Sequence, residues 1–145
     1  MLQSHQLVAA RLGQPIPPPK RRNNLESEMQ RALIKWWAVE CKKFGVPECL
    51  LFSIPNGGNW DAKRGSIMKL EGQRKGAPDL CLAISRRRCP ESDGPYMLFI
   101  ELKTPNGVVS NEQGLFRIHL RDQGYQHEVC HSLEEAQKVI TEYLT

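Results

Sequence analysis

The stretch that most restricts the fold is YMLFIELK at residues 96–103, an apolar and aromatic run with two charges embedded in it. A strand has a side-chain period of two, so Phe99, Glu101 and Lys103 share one face while Ile100 and Leu102 share the other. A carboxylate and an ammonium inside a sheet carry a desolvation cost unless each is paired or bound to a metal. Taken alone, Glu101 and Lys103 meet that demand as an ion pair at a sheet end.

The preceding apolar run, DLCLAI at 79–84, is joined to it by RRRCPESDGP, a polar segment with turn chemistry. The two runs read as a β-hairpin with a long tip. In a hairpin the start of the first strand lies opposite the end of the second, which brings Asp79 near Glu101 and Lys103. Two neighbouring carboxylates repel one another, and Mg²⁺ or Mn²⁺ is the usual compensation for such a hard oxygen cluster. An Asp after Pro78 also suits ordinary turn chemistry, so at this level both readings stand.

The rest of the chain supplies elements to cover that hairpin. Met29, Ala32, Leu33, Trp36 and Trp37 recur at helical spacing and predict an amphipathic helix from about Leu25 to Phe44, with the tryptophans as core and core edge. CLLFSIP at 49–55 reads as a buried strand, NGGN at 56–59 as a loop, and Asp61 to Leu70 as a short helix ended by Gly72. SNEQ at 110–113 is a capping-box pattern and opens a helix running to Gly124. YQHEVCH then gives a strand through Cys130, and Ser132 with Glu135 forms a second capping-box pattern opening a helix lined by Leu133, Ala136, Val139, Ile140 and Leu144. The predicted order is α-β-(α)-β-β-α-β-α, an α/β fold with a small mixed sheet.

At 145 residues, 40% of them hydrophobic and 25% charged, the chain suits one soluble domain. No apolar run approaches membrane-spanning length, and MLQSHQLVAARLGQ lacks the layout of a secretory signal, so a cytoplasmic location is expected. Five cysteines without a CxxC pair are expected to be reduced and not to hold zinc. PIPPPKRRNN at 15–24 marks residues 1–24 as an expected flexible basic, proline-rich arm, with the folded domain at 25–145. Residues 1–25 hold four basic residues and no acid, whereas 26–145 hold sixteen of each, so a uniformly basic coat is excluded. Local clusters at Lys63–Arg64, Arg74–Lys75 and Arg86–Arg88 could each meet phosphates, while solvated surface charge is the commoner role for any one of them. Neither GxxxxGK[ST] nor GxSxG occurs, and His119, His127 and His131 form no HExxH, which argues against a nucleotide cofactor, a serine hydrolase of that type and a zincin.

GAPDL followed by IELK is similar to the PD-(D/E)XK nuclease signature. The surrounding residues resemble its VRR-NUC branch, the virus-type replication-repair nucleases: ESEMQ in the first helix, the IPNGG loop, G-x-x-x-G-x-P-D from Gly72 to Asp79, the ELK strand, S-x-x-Q opening the next helix, and GYQHEV. The resemblance spans about residues 25–145. It implies a restriction-endonuclease-like αβββαβ core with an extra C-terminal helix, and a Mg²⁺- or Mn²⁺-dependent endonuclease acting on DNA phosphodiesters.

Carried over residue by residue, the resemblance implies that Asp79, Glu101 and the Leu102 carbonyl ligate metal. Lys103 would position or help deprotonate the attacking water. Glu26 is the preferred first-helix acid, although Glu28 also fits, and Glu26 spaced three residues from Asn23 equally suits a cap. Gln113 belongs to the catalytic cluster by resemblance and to a capping box by spacing. Arg74, Lys75 and Asn56 are the expected DNA contacts. A homodimer selecting branched DNA, junction or flap, in replication, repair or recombination, often of phage origin, completes the expectation. The reading set against it is a non-catalytic DNA-binding or assembly module on the same fold.

Overall fold

The computed structural model describes residues 24–55, 61–86, 94 and 96–145. Along the chain come helix α1 (Asn24–Phe44), a 3-10 turn at Glu48–Leu50, strand β1 (Leu51–Ser53), helix α2 (Ala62–Leu70), and strands β2 (Leu80–Leu82) and β3 (Leu98–Leu102). Helix α3 (Asn111–Asp122), strand β4 (Gln126–Cys130) and helix α4 (Leu133–Leu144) follow. The sheet order is β1-β2-β3-β4. The β1–β2 and β2–β3 pairs are antiparallel, and β3–β4 is parallel. A parallel pair cannot be joined by a tight turn, and α3 supplies the crossover. The α/β class and the element order are those expected from the sequence.

Period-two alternation divides the sheet into two unlike faces. Leu51, Leu80, Leu82, Leu98, Ile100, Leu102 and Cys130 pack with Leu33, Trp37 and Cys41 of α1 and with Ala136, Ile140 and Tyr143 of α4 in one continuous core. The polar atoms carried into this core are satisfied: the Trp37 indole N–H donates to the Glu48 carbonyl at 2.8 Å, and the Tyr143 hydroxyl donates to the Ile84 carbonyl at 2.6 Å. Trp36 lies at the core edge. Cys41, Cys49, Cys81 and Cys130 are free thiols.

Three boundaries differ from expectation, each for a local reason. Residues 49–55 begin as a 3-10 turn after Pro47, which leaves only Leu51–Ser53 in the strand. The run 79–84 keeps a ladder of three residues, yet its flanks remain bonded, Ile54 N–H to Asp79 O at 2.8 Å and Ala83 N–H to Leu50 O at 2.9 Å. At α4 the capping box is half formed and shifted. The Glu135 N–H donates to Ser132 Oγ at 3.1 Å, whereas the Glu135 carboxylate accepts from the His131 N–H at 2.7 Å instead of that of Ser132. The N-terminal arm up to residue 23, Asn56 with the rest of the NGGN loop, and most of the hairpin tip lie outside the described residues. Among the described residues, no helix is long and apolar enough to cross a membrane.

Candidate active site

The β2–β3 register pairs Leu80 with Ile100 and Leu82 with Leu98, and one further step places Asp79 across from Glu101. That step puts two carboxylates side by side at the sheet end where β2 begins and β3 stops. Asp79 Oδ2 accepts the Leu102 N–H at 2.7 Å, which ties the PD turn to the edge of β3. Glu101 is 1% exposed. Its Oε1 accepts from Lys103 Nζ at 2.7 Å, as same-face spacing on a strand allows. The same oxygen accepts from Gln113 Nε2 at the start of α3.

Gln113 therefore satisfies both of its sequence readings together. Its backbone N–H donates to Ser110 Oγ at 3.2 Å, its Oε1 accepts the Ser110 N–H at 2.9 Å, and the remaining amide nitrogen reaches Glu101. The capping box holds the side chain in the orientation that the carboxylate needs. A two-sided amide can do this where a Glu at the same position could not, because only the amide offers a donor to Glu101.

Burial and like charge set the electrostatics. Burial, reinforced by the neighbouring Asp79 charge and opposed by the Lys103 bond, pushes the Glu101 carboxyl up to about 7. Burial also raises Asp79, against the lowering effect of the Leu102 N–H and Lys103. Glu26 in the first turn of α1 adds negative charge that raises both groups, the smallest of the influences on each. Glu28 exerts no such effect and is exposed. The Asn23 cap alternative for Glu26 involves a residue outside the described ones.

The expected phosphate contacts are less uniform. Lys75 Nζ lies 2.6 Å from Glu112 Oε1 on α3, an ion pair at the rim that holds the Glu112 carboxyl below its usual value. Arg74 is exposed, with one N–H directed at the Lys69 carbonyl at 3.5 Å. Asn56 lies outside the described residues. Leu102 reaches the site through its N–H, on Asp79.

One residue that builds the site was not singled out from the sequence. Gly76 has φ +86°, and a Cβ there would lie 2.6 Å from the Glu112 carbonyl carbon and oxygen and 2.9 Å from the Gln113 nitrogen. Only glycine lets the PD turn sit directly on the first turn of α3, where Gln113 is launched toward Glu101. The signal was present as the second glycine of G-x-x-x-G-x-P-D. Its contact partner, Glu112, is 36 residues away, so spacing alone could not reveal the role.

The donor set suits a hard divalent cation. Two carboxylates with too little positive charge between them, one almost wholly buried, match Mg²⁺ or Mn²⁺, which bind through one or two carboxylates and keep several waters. Among the described residues, both hydrogen bonds to Glu101 fall on Oε1 and the bond to Asp79 falls on Oδ2, so one oxygen of each acid remains open to a cation. Among those residues there is no third His, Cys, Asp or Glu positioned to complete an all-protein cage, as a softer metal would require.

Comparisons with known proteins bear on the family and the fold. No curated protein matches the chain. A solved structure described as a VRR_NUC domain protein superposes with a TM-score of 0.66 at 25% identity, over 81% of this chain and 86% of that one. The family's sequence profile matches residues 24–134, from the first turn of α1 into α4 and across every site residue described above. The chain belongs to the VRR-NUC domain family, whose members are generally nucleases.

Proposed function

We propose that this protein is a Mg²⁺- or Mn²⁺-dependent DNA endonuclease whose reacting centre is Asp79, Glu101 and Lys103, with Gln113 and Glu26 in support. The observation that carries the reading is the convergence on Glu101: a carboxylate buried at a sheet end, held by Lys103 and Gln113 through one oxygen, with Asp79 alongside. A buried acid so placed is a poor structural choice, because an apolar residue would cost less, and it becomes useful once a cation arrives. A bound divalent ion would supply an acidified water and a polarised phosphodiester.

The chain's own residues do the remaining work. Asp79 and Glu101 would hold the ion, with the Leu102 carbonyl as a further ligand. The Leu102 N–H fixes the Asp79 carboxylate through Oδ2. Lys103, 12% exposed at the side chain, keeps an ammonium beside Glu101 where it can steady the developing charge on the phosphate and orient the incoming water. Gln113 keeps Glu101 from rotating away. Glu26 adds negative charge that favours cation capture.

The reading extends to recognition of DNA shape over base sequence, with two copies cutting a branched substrate. A junction or flap in replication, repair or recombination fits that demand. The test is incubation with labelled duplex, flap and four-way-junction DNA, and with RNA, in Mg²⁺ or Mn²⁺, beside Asp79→Ala and Glu101→Ala. We expect cleavage of at least one branched DNA and a loss of roughly a thousandfold or more in either variant. No cleavage of any substrate by the wild type, or equal cleavage by both variants, would overturn the reading.

A further inference from the structure

Helix α2 stands apart from the other three helices, each of which packs on the sheet or on another helix. None of its nine residues is buried, and among the described residues it packs extensively on no other helix or strand. A helix this short is marginal in water without tertiary support. Asp61 caps it, its side chain accepting the Arg64 N–H at 2.8 Å, yet Ile67 and Leu70 remain 45% and 88% exposed.

Its place in the topology is specific. The chain leaves β1 at Ile54, whose N–H bonds the Asp79 carbonyl, and it re-enters the sheet at Asp79 itself. The whole excursion thus starts and ends at the site end of the sheet. Its return limb is docked on α3 by the Gly76 contact and the Lys75–Glu112 pair.

Charge is concentrated on the same excursion. Residues 61–75 carry five basic residues (Lys63, Arg64, Lys69, Arg74, Lys75) against Asp61 and Glu71, while the rest of 26–145 carries eleven basic against fourteen acidic. A positive lobe is therefore attached to an otherwise acidic domain, beside a site whose carboxylates would repel a bare polyanion.

We infer that α2 and its return limb form a nucleic-acid clamp, in which Lys63, Lys69 and Arg74 grip the phosphates flanking the one that reaches Asp79 and Glu101. This inference deepens the nuclease reading and rests on it for the identity of the polyanion. Binding adds packing and charge contacts to a helix whose nine residues all remain partly or fully exposed. Exposed Lys63, Lys69 and Arg74 serve as point charges on successive phosphates, and they need no buried geometry to do so.

The experiment is fluorescence anisotropy of the full chain on four-way-junction DNA in EDTA, across a salt series, for wild type and for the triple variant Lys63→Ala, Lys69→Ala, Arg74→Ala. Each lost phosphate contact lowers the slope of log K against log salt by about 0.9, so a drop of roughly two to three is expected, with affinity at about 0.1 M salt falling roughly tenfold to a hundredfold. The charge-preserving variant K63R/K69R/R74K should bind like wild type. Circular dichroism should be unchanged in both, because the replaced side chains are solvated. An unaltered slope and affinity in the triple variant would overturn the clamp, as would loss of binding to phosphatidylserine vesicles with DNA binding intact. Because EDTA separates binding from hydrolysis, a protein that binds through α2 in EDTA yet cuts no substrate in Mg²⁺ or Mn²⁺ would defeat the nuclease reading and leave the clamp standing.

Discussion

The two faces of the sheet share one backbone ladder and differ in what burial does to them. On the face packed by α1 and α4, every side chain of β2 and β3 that points inward is apolar, from Leu80 and Leu82 to Leu98, Ile100 and Leu102. On the face beneath α3 lie Glu101 and His127, the two buried polar side chains among the described residues. Burial moves both toward neutrality, Glu101 up to about 7 and His127 down to about 4. Glu101 Oε1 has two partners, Lys103 and Gln113. His127 Nδ1 has no partner among the described residues, and Arg117 and Arg121 of α3 lower it further. The first face holds the fold, and the second tolerates strain at the end where chemistry is proposed.

Exchanging single residues across β3 should break that division most sharply. Glu101→Gln should reduce cleavage by roughly a thousandfold or more while leaving the metal-free melting temperature unchanged or raised, since it removes a buried charge and keeps the hydrogen-bonding shape. Its neighbour Ile100→Ala, on the opposite face, should cost about 2–5 kcal/mol by denaturant titration. A Glu101→Gln protein that unfolds as readily as Ile100→Ala would show that both faces are structural.

The pH dependence of stability should separate the two buried titrating groups. A carboxyl raised in the folded state contributes stability that is fully present below its unfolded value near 4.5 and is lost as pH rises through about 7. For Glu101 this amounts to up to about 3 kcal/mol without metal. His127 works in the opposite direction: lowered to about 4, its contribution is present above 6.5 and is lost as pH falls toward 4. The Glu101 and His127 contributions should therefore nearly cancel between about pH 4.5 and 6.5, leaving the raised Asp79 carboxyl to lower wild-type stability as pH rises. Glu101→Gln should show a stability that falls with acidification, and Mg²⁺ should stabilise the wild type most at the alkaline end. A Glu101→Gln curve parallel to that of the wild type in urea titrations would contradict the assignment.

A smaller effect is expected at the seam between the PD turn and α3. Gly76→Ala puts a Cβ into the Glu112 backbone at a left-handed φ, which should destabilise the fold by about 1–3 kcal/mol. Cleavage should fall by more than the lost folded fraction explains, because Gln113 is pushed off Glu101. If kcat per folded molecule were unchanged, the seam would be packing alone.

Much of this was legible along the chain because it depends on local periods. Period two put Glu101 and Lys103 on one face, helical spacing picked out Leu33 and Trp37 as core, and the order of strands with turn chemistry between them implied a hairpin setting Asp79 beside Glu101. What stayed hidden depended on contacts between distant segments. Whether Gln113 capped its helix or reached the site was undecidable from S-x-x-Q, since both uses need the same residues at the same spacing. Likewise Glu26 and Glu28 differ only in which side of α1 meets the sheet end, and the packing of Leu33 and Trp37 decides that rotation.

By itself, then, the sequence determined the order of elements and the alternation of β3, written in spacings of two to four residues, and the hairpin order that sets Asp79 beside Glu101. Tertiary structure alone decided the three-way bond at Glu101, the docking of Gly76 on α3, the pairing of Lys75 with Glu112 and the solvated state of α2. Each of these needs segments brought together across a folded core, and close packing, unlike periodicity, has no local signature.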